Sequence, residues 1–173
     1  ARVTGEIGVV SVTAGPGGSN TVTGLACAYV DSIPLLVIAG QVTSHTMIRA
    51  NRVRQLGMNE LDMVGIVEPI TKCAVTVRDP QQIRYLLERA VYIATHGRKG
   101  PVWVEIPLDV QAAEVNPDKL PGFDPNEFPK VDDGGEYMRR KIGAVAKILA
   151  EARRPVIIVG NGVRLAGACD KFN

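Results

Sequence analysis

Short apolar runs alternate with amphipathic stretches along most of this 173-residue chain. Residues 7–12 are an apolar run that passes directly into Thr13-Ala14-Gly15-Pro16-Gly17-Gly18-Ser19-Asn20. The pattern predicts a strand, a tight turn, and a helix over residues 19–31 with Val22, Leu25, Ala26, Ala28, Tyr29 and Val30 as apolar positions. Ile33-Pro34 breaks that helix. Leu35-Leu36-Val37-Ile38-Ala39 then forms a continuous apolar run, as a strand buried on both faces of a parallel sheet does, which completes a βαβ unit.

From residue 42 to 59 the periodicity fails and polar or basic residues dominate, among them His45, Arg49, Asn51, Arg52, Arg54 and Gln55. A long loop at a strand's carboxyl end lies where open α/β sheets place their ligand crevices. The pattern next predicts a helical turn over 61–67 and a third strand over 72–77. A longer helix follows, capped by Asp79, with Pro80 in its first turn and Gly97 at its end. Its apolar stripe is Ile83, Leu86, Leu87, Ala90, Val91 and Ala94. Val102-Trp103-Val104-Glu105-Ile106 is the fourth strand, in which Glu105 is either a buried acid or, as the alternation favours, turned to solvent or to a satisfied edge. Prolines 117, 121, 125 and 129 and the pair Gly134-Gly135 mark 112–135 as an extended linker crossing a surface and as the domain boundary. A helix over 136–152 and a strand over 156–159, ending in Gly160-Asn161-Gly162, open a second α/β domain that is truncated. The fold class is thus α/β, with a doubly wound, mainly parallel sheet.

Composition narrows the partners. Twenty basic and eighteen acidic residues leave a net charge of +2 without a basic run, which argues against nucleic acid. No apolar run is long enough for a membrane span and no signal-peptide architecture is present. Cys27, Cys73 and Cys169 lack metal or disulfide spacing, so the reading is a reducing cytoplasm with Cys27 and Cys73 as small core residues. The chain starts without Met and stops near the start of another helix, the look of a piece of a longer protein.

The candidate chemistry centres on the turn at 15–20. Glycines at 15, 17 and 18 permit positive φ and close approach to the backbone, and Ser19 and Asn20 are the N-cap candidates. His45 has no positioned partner in the sequence, and the Gly160-x-Gly162 turn is a weak nucleotide signal.

Several ordered motifs then resemble the thiamine-diphosphate enzymes of the acetolactate synthase type. They are the segment from Ala1-Arg2-Val3-Thr4-Gly5 to Gly15-Pro16-Gly17-Gly18-Ser19-Asn20, Asp31-Ser32-Ile33-Pro34, Ile38-Ala39-Gly40-Gln41-Val42, Pro69-Ile70-Thr71-Lys72, and Gly100-Pro101-Val102-Trp103-Val104-Glu105-Ile106-Pro107-Leu108-Asp109-Val110-Gln111. The resemblance implies that 1–111 is most of a pyrimidine-binding domain, 112–135 a linker and 136–173 the start of a central domain. It implies thiamine diphosphate with Mg²⁺ held by a missing domain, FAD as a possible second cofactor, a homodimer or homotetramer, and a small 2-oxo acid substrate that is decarboxylated and ligated. Gly15, Pro16, Gly17, Asn20 and Gln41 would bind the cofactor, and Gln55 or Asn59 would take the family's active-site glutamine position. The activating glutamate is expected upstream of Ala1. Glu6 and Glu60 do not replace it by motif position, so the isolated piece is expected to be inactive. The loop over 42–59 is longer and more basic than the family pattern and Leu108 stands where lysine is usual, which leaves the 2-oxo acid open. The alternatives are a non-catalytic FAD- or ADP-binding regulatory module and a homologue that only dimerises.

Overall fold

A computed structural model describes residues 1–47, 53–128 and 134–172. Arg49, Asn51, Arg52 and Pro129 fall outside these. Strands β1 (Gly8–Val12), β2 (Leu35–Gln41), β3 (Cys73–Thr76) and β4 (Pro101–Pro107) form one sheet in the order β1-β2-β4-β3. Every pair is parallel. The α/β class with a parallel sheet is therefore realised as the apolar runs indicate.

The strand order also decides which helix lies where. Chain reversals in a parallel sheet are right-handed. Going from β1 to β2 and from β2 to β3 moves across the sheet in one direction, so α2 (Val22–Val30) and α3 (Met63–Val67) cover one face. The return from β3 to β4 carries α4 (Ile83–Thr95) over the other. On the first face Leu25, Met63 and Val67 pack with Val37, Ala39 and Trp103 into a buried cluster. Trp103 sits at its centre, in register with Val37 of β2 and Ala74 of β3, and is fully buried. Truncating such a side chain costs about 3–5 kcal/mol against a typical total of about 5–15. The sheet holds its position largely through this cluster.

The cap expected at Asp79 is made on the 3₁₀ turn that precedes α4, whose own N-cap is Gln82. The Asp79 carboxylate accepts from the Gln81 backbone N–H at 2.9 Å, and Pro80 starts a 3₁₀ turn, Pro80–Gln82, that leads into the helix. At the other end the Lys72 ammonium donates to the carbonyls of Ile93 and His96. Partial burial pulls its pKa down. One of the last four carbonyls of α4, which a helix leaves without internal partners, is satisfied in this way, together with that of the C-cap residue His96.

Several expectations change. The single helix expected over 19–31 is two pieces, α1 (Pro16–Ser19) and α2. Ser19 and Asn20 do not cap: Gly15 is the N-cap of α1 and the Ser19 hydroxyl donates instead to the Pro16 carbonyl. Proline at 16 is preorganised for a first helical position, which moves the start upstream. Cys27 is exposed, not a core residue, because α2 turns Leu25 and Ala28 inward and Cys27 falls on its outer side. Glu105 is 2% exposed, since β4 has neighbours on both edges and helices on both faces and so has no solvent side.

Beyond β4 come α5 (Leu108–Gln111) and two 3₁₀ turns, Pro117–Lys119 and Pro125–Glu127. This stretch lies along α4. Leu120 is buried, Phe123 meets Tyr85 edge-on with ring centroids 5.8 Å apart, and the Phe123 N–H donates to Glu88. The chain divides into compact units at residues 1–127 and 128–173. The second unit contains α6 (Gly135–Glu151), α7 (Gly162–Leu165) and α8 (Cys169–Phe172). Residues 156–159, expected as a strand, form none: Val156 and Ile158 are 85% and 94% exposed, and a β-strand exists only through a neighbour that takes its hydrogen bonds.

Candidate functional site

The carboxyl ends of β1, β2 and β4 open onto a crevice of about 620 Å³, lined by Thr13, Ala14, Gly40, Gln41, Leu108 and Gln111 among others. Parallel strands ending side by side leave this concavity because each chain then departs into a loop or helix. Two contacts shape its rim. The Gln111 amide donates to the Ile106 carbonyl at 2.7 Å, and the Asp109 carboxylate accepts from both the backbone N–H and the hydroxyl of Ser44. The Ser44 N–H holds the Asp109 carboxyl below the usual carboxylate range. The loops after β2 and β4 are thus tied to each other.

At the edge of the crevice the chain passes from Ala14 into Gly15. Gly15 has φ +54° and a Cβ there would stand 1.8 Å from the Asn59 carbonyl oxygen. Glycine is required twice over, by conformation and by space. Gly17 and Gly18 are glycines for space alone: a Cβ at 17 would come within 2.4 Å of the Thr13 methyl, and one at 18 within 3.1 Å of the Trp103 ring. Neither has positive φ, so the freedom these glycines permit is used at Gly15 alone of the three. The turn rests on Trp103 and on the backbone of Asn59.

The side chains of Pro16 and Asn20 project from this turn into solvent. No protein group hydrogen-bonds the Asn20 carboxamide among the described residues, so its donor and acceptor are both available for a ligand. Gln41 is different. It is buried and lines the crevice, but its amide is already engaged, with Nε2 donating to the Leu61 carbonyl at 3.0 Å and Oε1 accepting from the Val42 N–H at 2.9 Å. Gln55 is exposed and donates to the Gly57 carbonyl at 2.8 Å, while Asn59 is exposed in a left-handed conformation, φ +61°. Of the two glutamine-position candidates, Asn59 touches the glycine turn. His45 lies exposed in the 3₁₀ turn Ser44–Thr46.

Two acidic residues matter here beyond what the sequence indicated. The Glu60 carboxyl is buried and accepts from the backbone N–H groups of Leu56 and Gly57. Glu105 accepts from the Thr76 hydroxyl at 3.1 Å, and burial pushes its pKa up. Gln41, Thr76 and Trp103 beside it temper that rise, but Glu105 Oε2 and Trp103 Nε1 lack a hydrogen-bond partner of good geometry among the described residues, so burial prevails. The signal for both was a carboxylate inside or beside an apolar run, which becomes informative only once both faces of the sheet are known to be covered. The motif Pro69-Ile70-Thr71-Lys72 works structurally. Thr71 donates back to the Val67 carbonyl and Lys72 caps α4 as described.

The turn thus presents an exposed proline ring and a carboxamide without a protein partner among the described residues, on a backbone held by its glycines against Asn59, Thr13 and Trp103. Among the described residues no group of three or more His, Cys, Asp or Glu could hold a metal ion, and no helix is long and apolar enough to cross a membrane.

Residues 1–64 match the family described as thiamine pyrophosphate enzyme, N-terminal TPP binding domain. The chain is 38% identical over 178 residues to a probable acetolactate synthase large subunit of Methanocaldococcus jannaschii, covering 99% of this chain and 28% of that protein. It is 36% identical over 172 residues to the acetolactate synthase large subunit of Lactococcus lactis subsp. lactis, again 99% and 28%. An acetolactate synthase of Mycobacterium leprae is 42% identical over 168 residues, covering 94% of this chain and 25% of that protein. The chain thus spans little more than a quarter of the curated relatives it matches.

Proposed function

Starting from a chain that is a relative of acetolactate synthase large subunits, with residues 1–64 in the thiamine pyrophosphate enzyme N-terminal domain family, we propose that it supplies the pyrimidine-binding part of a thiamine-diphosphate-dependent enzyme. That enzyme decarboxylates a 2-oxo acid and joins the product to an acceptor. The observation that carries the reading is the Gly15–Asn20 turn, with its exposed Pro16 ring and free Asn20 carboxamide at the carboxyl ends of three parallel strands.

When bound, thiamine diphosphate supplies a stabilised carbanion for addition to the 2-oxo acid carbonyl. The residues of this chain orient it. Pro16 presents an apolar surface to the aminopyrimidine plane, and Asn20 offers one donor and one acceptor to its edge. Gly15 and Gly17 let the turn close against the Asn59 carbonyl and the Thr13 methyl, which fixes where Pro16 and Asn20 stand. Asn59, touching Gly15, borders the same cup, and Gln55 and Gln41 hold the loop and the strand end beside it. The domain division at 1–111, 112–135 and 136–173, Mg²⁺ held outside these residues, FAD on the second unit, a homodimer or homotetramer, and a cytoplasmic location complete the proposal.

The test is calorimetry of the complete gene product with thiamine diphosphate and Mg²⁺. Saturable binding is expected, and Asn20→Ala weakens it about tenfold, because two hydrogen bonds of about 0.5–1.5 kcal/mol each are lost. Absence of binding by the wild-type protein would overturn the reading.

A further inference from the structure

We infer that Glu60 is a positioning residue for the cofactor cup: by closing the turn at 55–60 it holds the Asn59 backbone against Gly15, and so sets the shape of a site that it does not itself touch. The inference rests on the proposed thiamine-diphosphate reading for what the cup binds, and on geometry for the rest.

The geometry begins with the turn. One carboxyl oxygen of Glu60 accepts from Leu56 N–H at 3.0 Å and Gly57 N–H at 3.1 Å. The Gly57 carbonyl accepts in return from the Glu60 N–H at 3.2 Å and from the Gln55 amide at 2.8 Å. Four hydrogen bonds therefore cross a six-residue turn. Within it Asn59 adopts φ +61°, a conformation that residues with a Cβ hold only where their surroundings impose it. The Glu60 clasp is one such constraint, since it fixes both sides of Asn59.

The turn is also anchored from outside. Gln41 at the end of β2 donates to the Leu61 carbonyl, and Gly57 lies so close to Val42 that a Cβ would come within 2.9 Å of its side chain. Pressed on that side by β2, the turn faces Gly15 with the Asn59 carbonyl, in a contact that leaves no room for even a methyl group. Gly15 in turn starts α1, where its carbonyl accepts from the Ser19 N–H at 2.9 Å. The two backbones meet at Gly15, where the stretch that presents Pro16 and Asn20 begins. A shift of the 55–60 turn moves one wall of the cup.

A carboxyl at position 60 is suited to this task because a single oxygen must receive two N–H groups in a buried place, and a glutamine amide oxygen can still do so whereas alanine cannot. The experiment uses the complete gene product and reads two quantities: amide hydrogen exchange without cofactor, and thiamine diphosphate affinity with Mg²⁺ present. For Glu60→Ala, exchange at Ser19 and Thr21 is expected to quicken at least fivefold and affinity to fall at least tenfold, with amides of β4 unchanged. Glu60→Gln should stay within threefold of wild type in both. Wild-type exchange at 15–21 together with wild-type affinity in Glu60→Ala overturns the inference, as does loosening confined to 53–61. If Glu60→Ala does not fold, Gly57→Ala displaces the same turn by pressing on Val42 and must give the same exchange signature at Ser19 and Thr21, and its absence also overturns the inference. Failure of the wild-type protein to bind thiamine diphosphate refutes the function proposed above, while the exchange measurement still decides whether the clasp governs the turn.

Discussion

Glu105 shows what burial does to a single side chain. It stands in β4 between Ala39 of β2 and Thr76 of β3, and burial raises its pKa above the ordinary carboxyl value of 4.5. The folded state therefore retains a proton that the unfolded chain releases. Stability contributed by the protonated form is fully present below the unfolded pKa, declines as pH climbs above it and levels off past the folded pKa. Glu105→Gln keeps a neutral, hydrogen-bonding group of the same shape and removes this dependence. Urea unfolding of the two proteins from pH 4 to pH 8 should show the wild type losing ground to Glu105→Gln as pH rises, and parallel curves would contradict the assignment. In the sequence Glu105 is simply one polar letter in an apolar run, which fits a half-exposed strand as well as a buried one. Gly15 is the opposite case. The sequence marks the turn, but only the structure shows that Gly15, and not Gly17, carries the positive φ and meets the Asn59 carbonyl.

Among the elements, α4 was the most legible, because its stripe is long and its start has a capping residue. The Asp79 cap is exposed, local and worth about 1 kcal/mol by the usual cost of losing such a cap. Asp79→Ala should lower unfolding free energy by about that amount without changing the shape of the circular dichroism spectrum, and an unchanged midpoint would show that the cap is satisfied by other means. The carboxyl end of α4 was not legible. Two carbonyls there, those of Ile93 and His96, are met by Lys72, which is more than twenty residues away in sequence and reaches them because its own backbone pairs with β4, the strand α4 packs on. Residues 156–159 carry the letters of a buried strand and are not one here. Apolar β-branched residues state a preference, and pairing has to come from another segment. Residues 117–127 were expected to cross a surface as an extended segment; they do cross one, that of α4, through Leu120 and Phe123, but two 3₁₀ turns interrupt them, and which surface they meet is beyond propensity.

For the whole molecule, one consequence of the packing is directly measurable. Trp103 is the sole tryptophan and is fully buried at the centre of the sheet. Its emission should therefore be blue-shifted in the native state and report unfolding of residues 1–127 alone. Because the same ring lies beneath Gly18, thiamine diphosphate binding at the turn should change its intensity, and a spectrum indifferent to saturating cofactor would argue against a cup at Gly15–Asn20. What the sequence determined by itself was local or repetitive: the βα alternation, the parallel class of sheet, the glycine turn after β1, the Asp79 cap, and ordered motifs shared with acetolactate synthases. Each depends on residues within a few positions of one another, or on a string of them in order. The order β1-β2-β4-β3, the burial of Glu105, the seat of the turn on Trp103, and the contact of Asn59 with Gly15 were decided by tertiary structure alone. These are pairings between segments distant in sequence, and which surface meets which follows from packing the whole sheet at once.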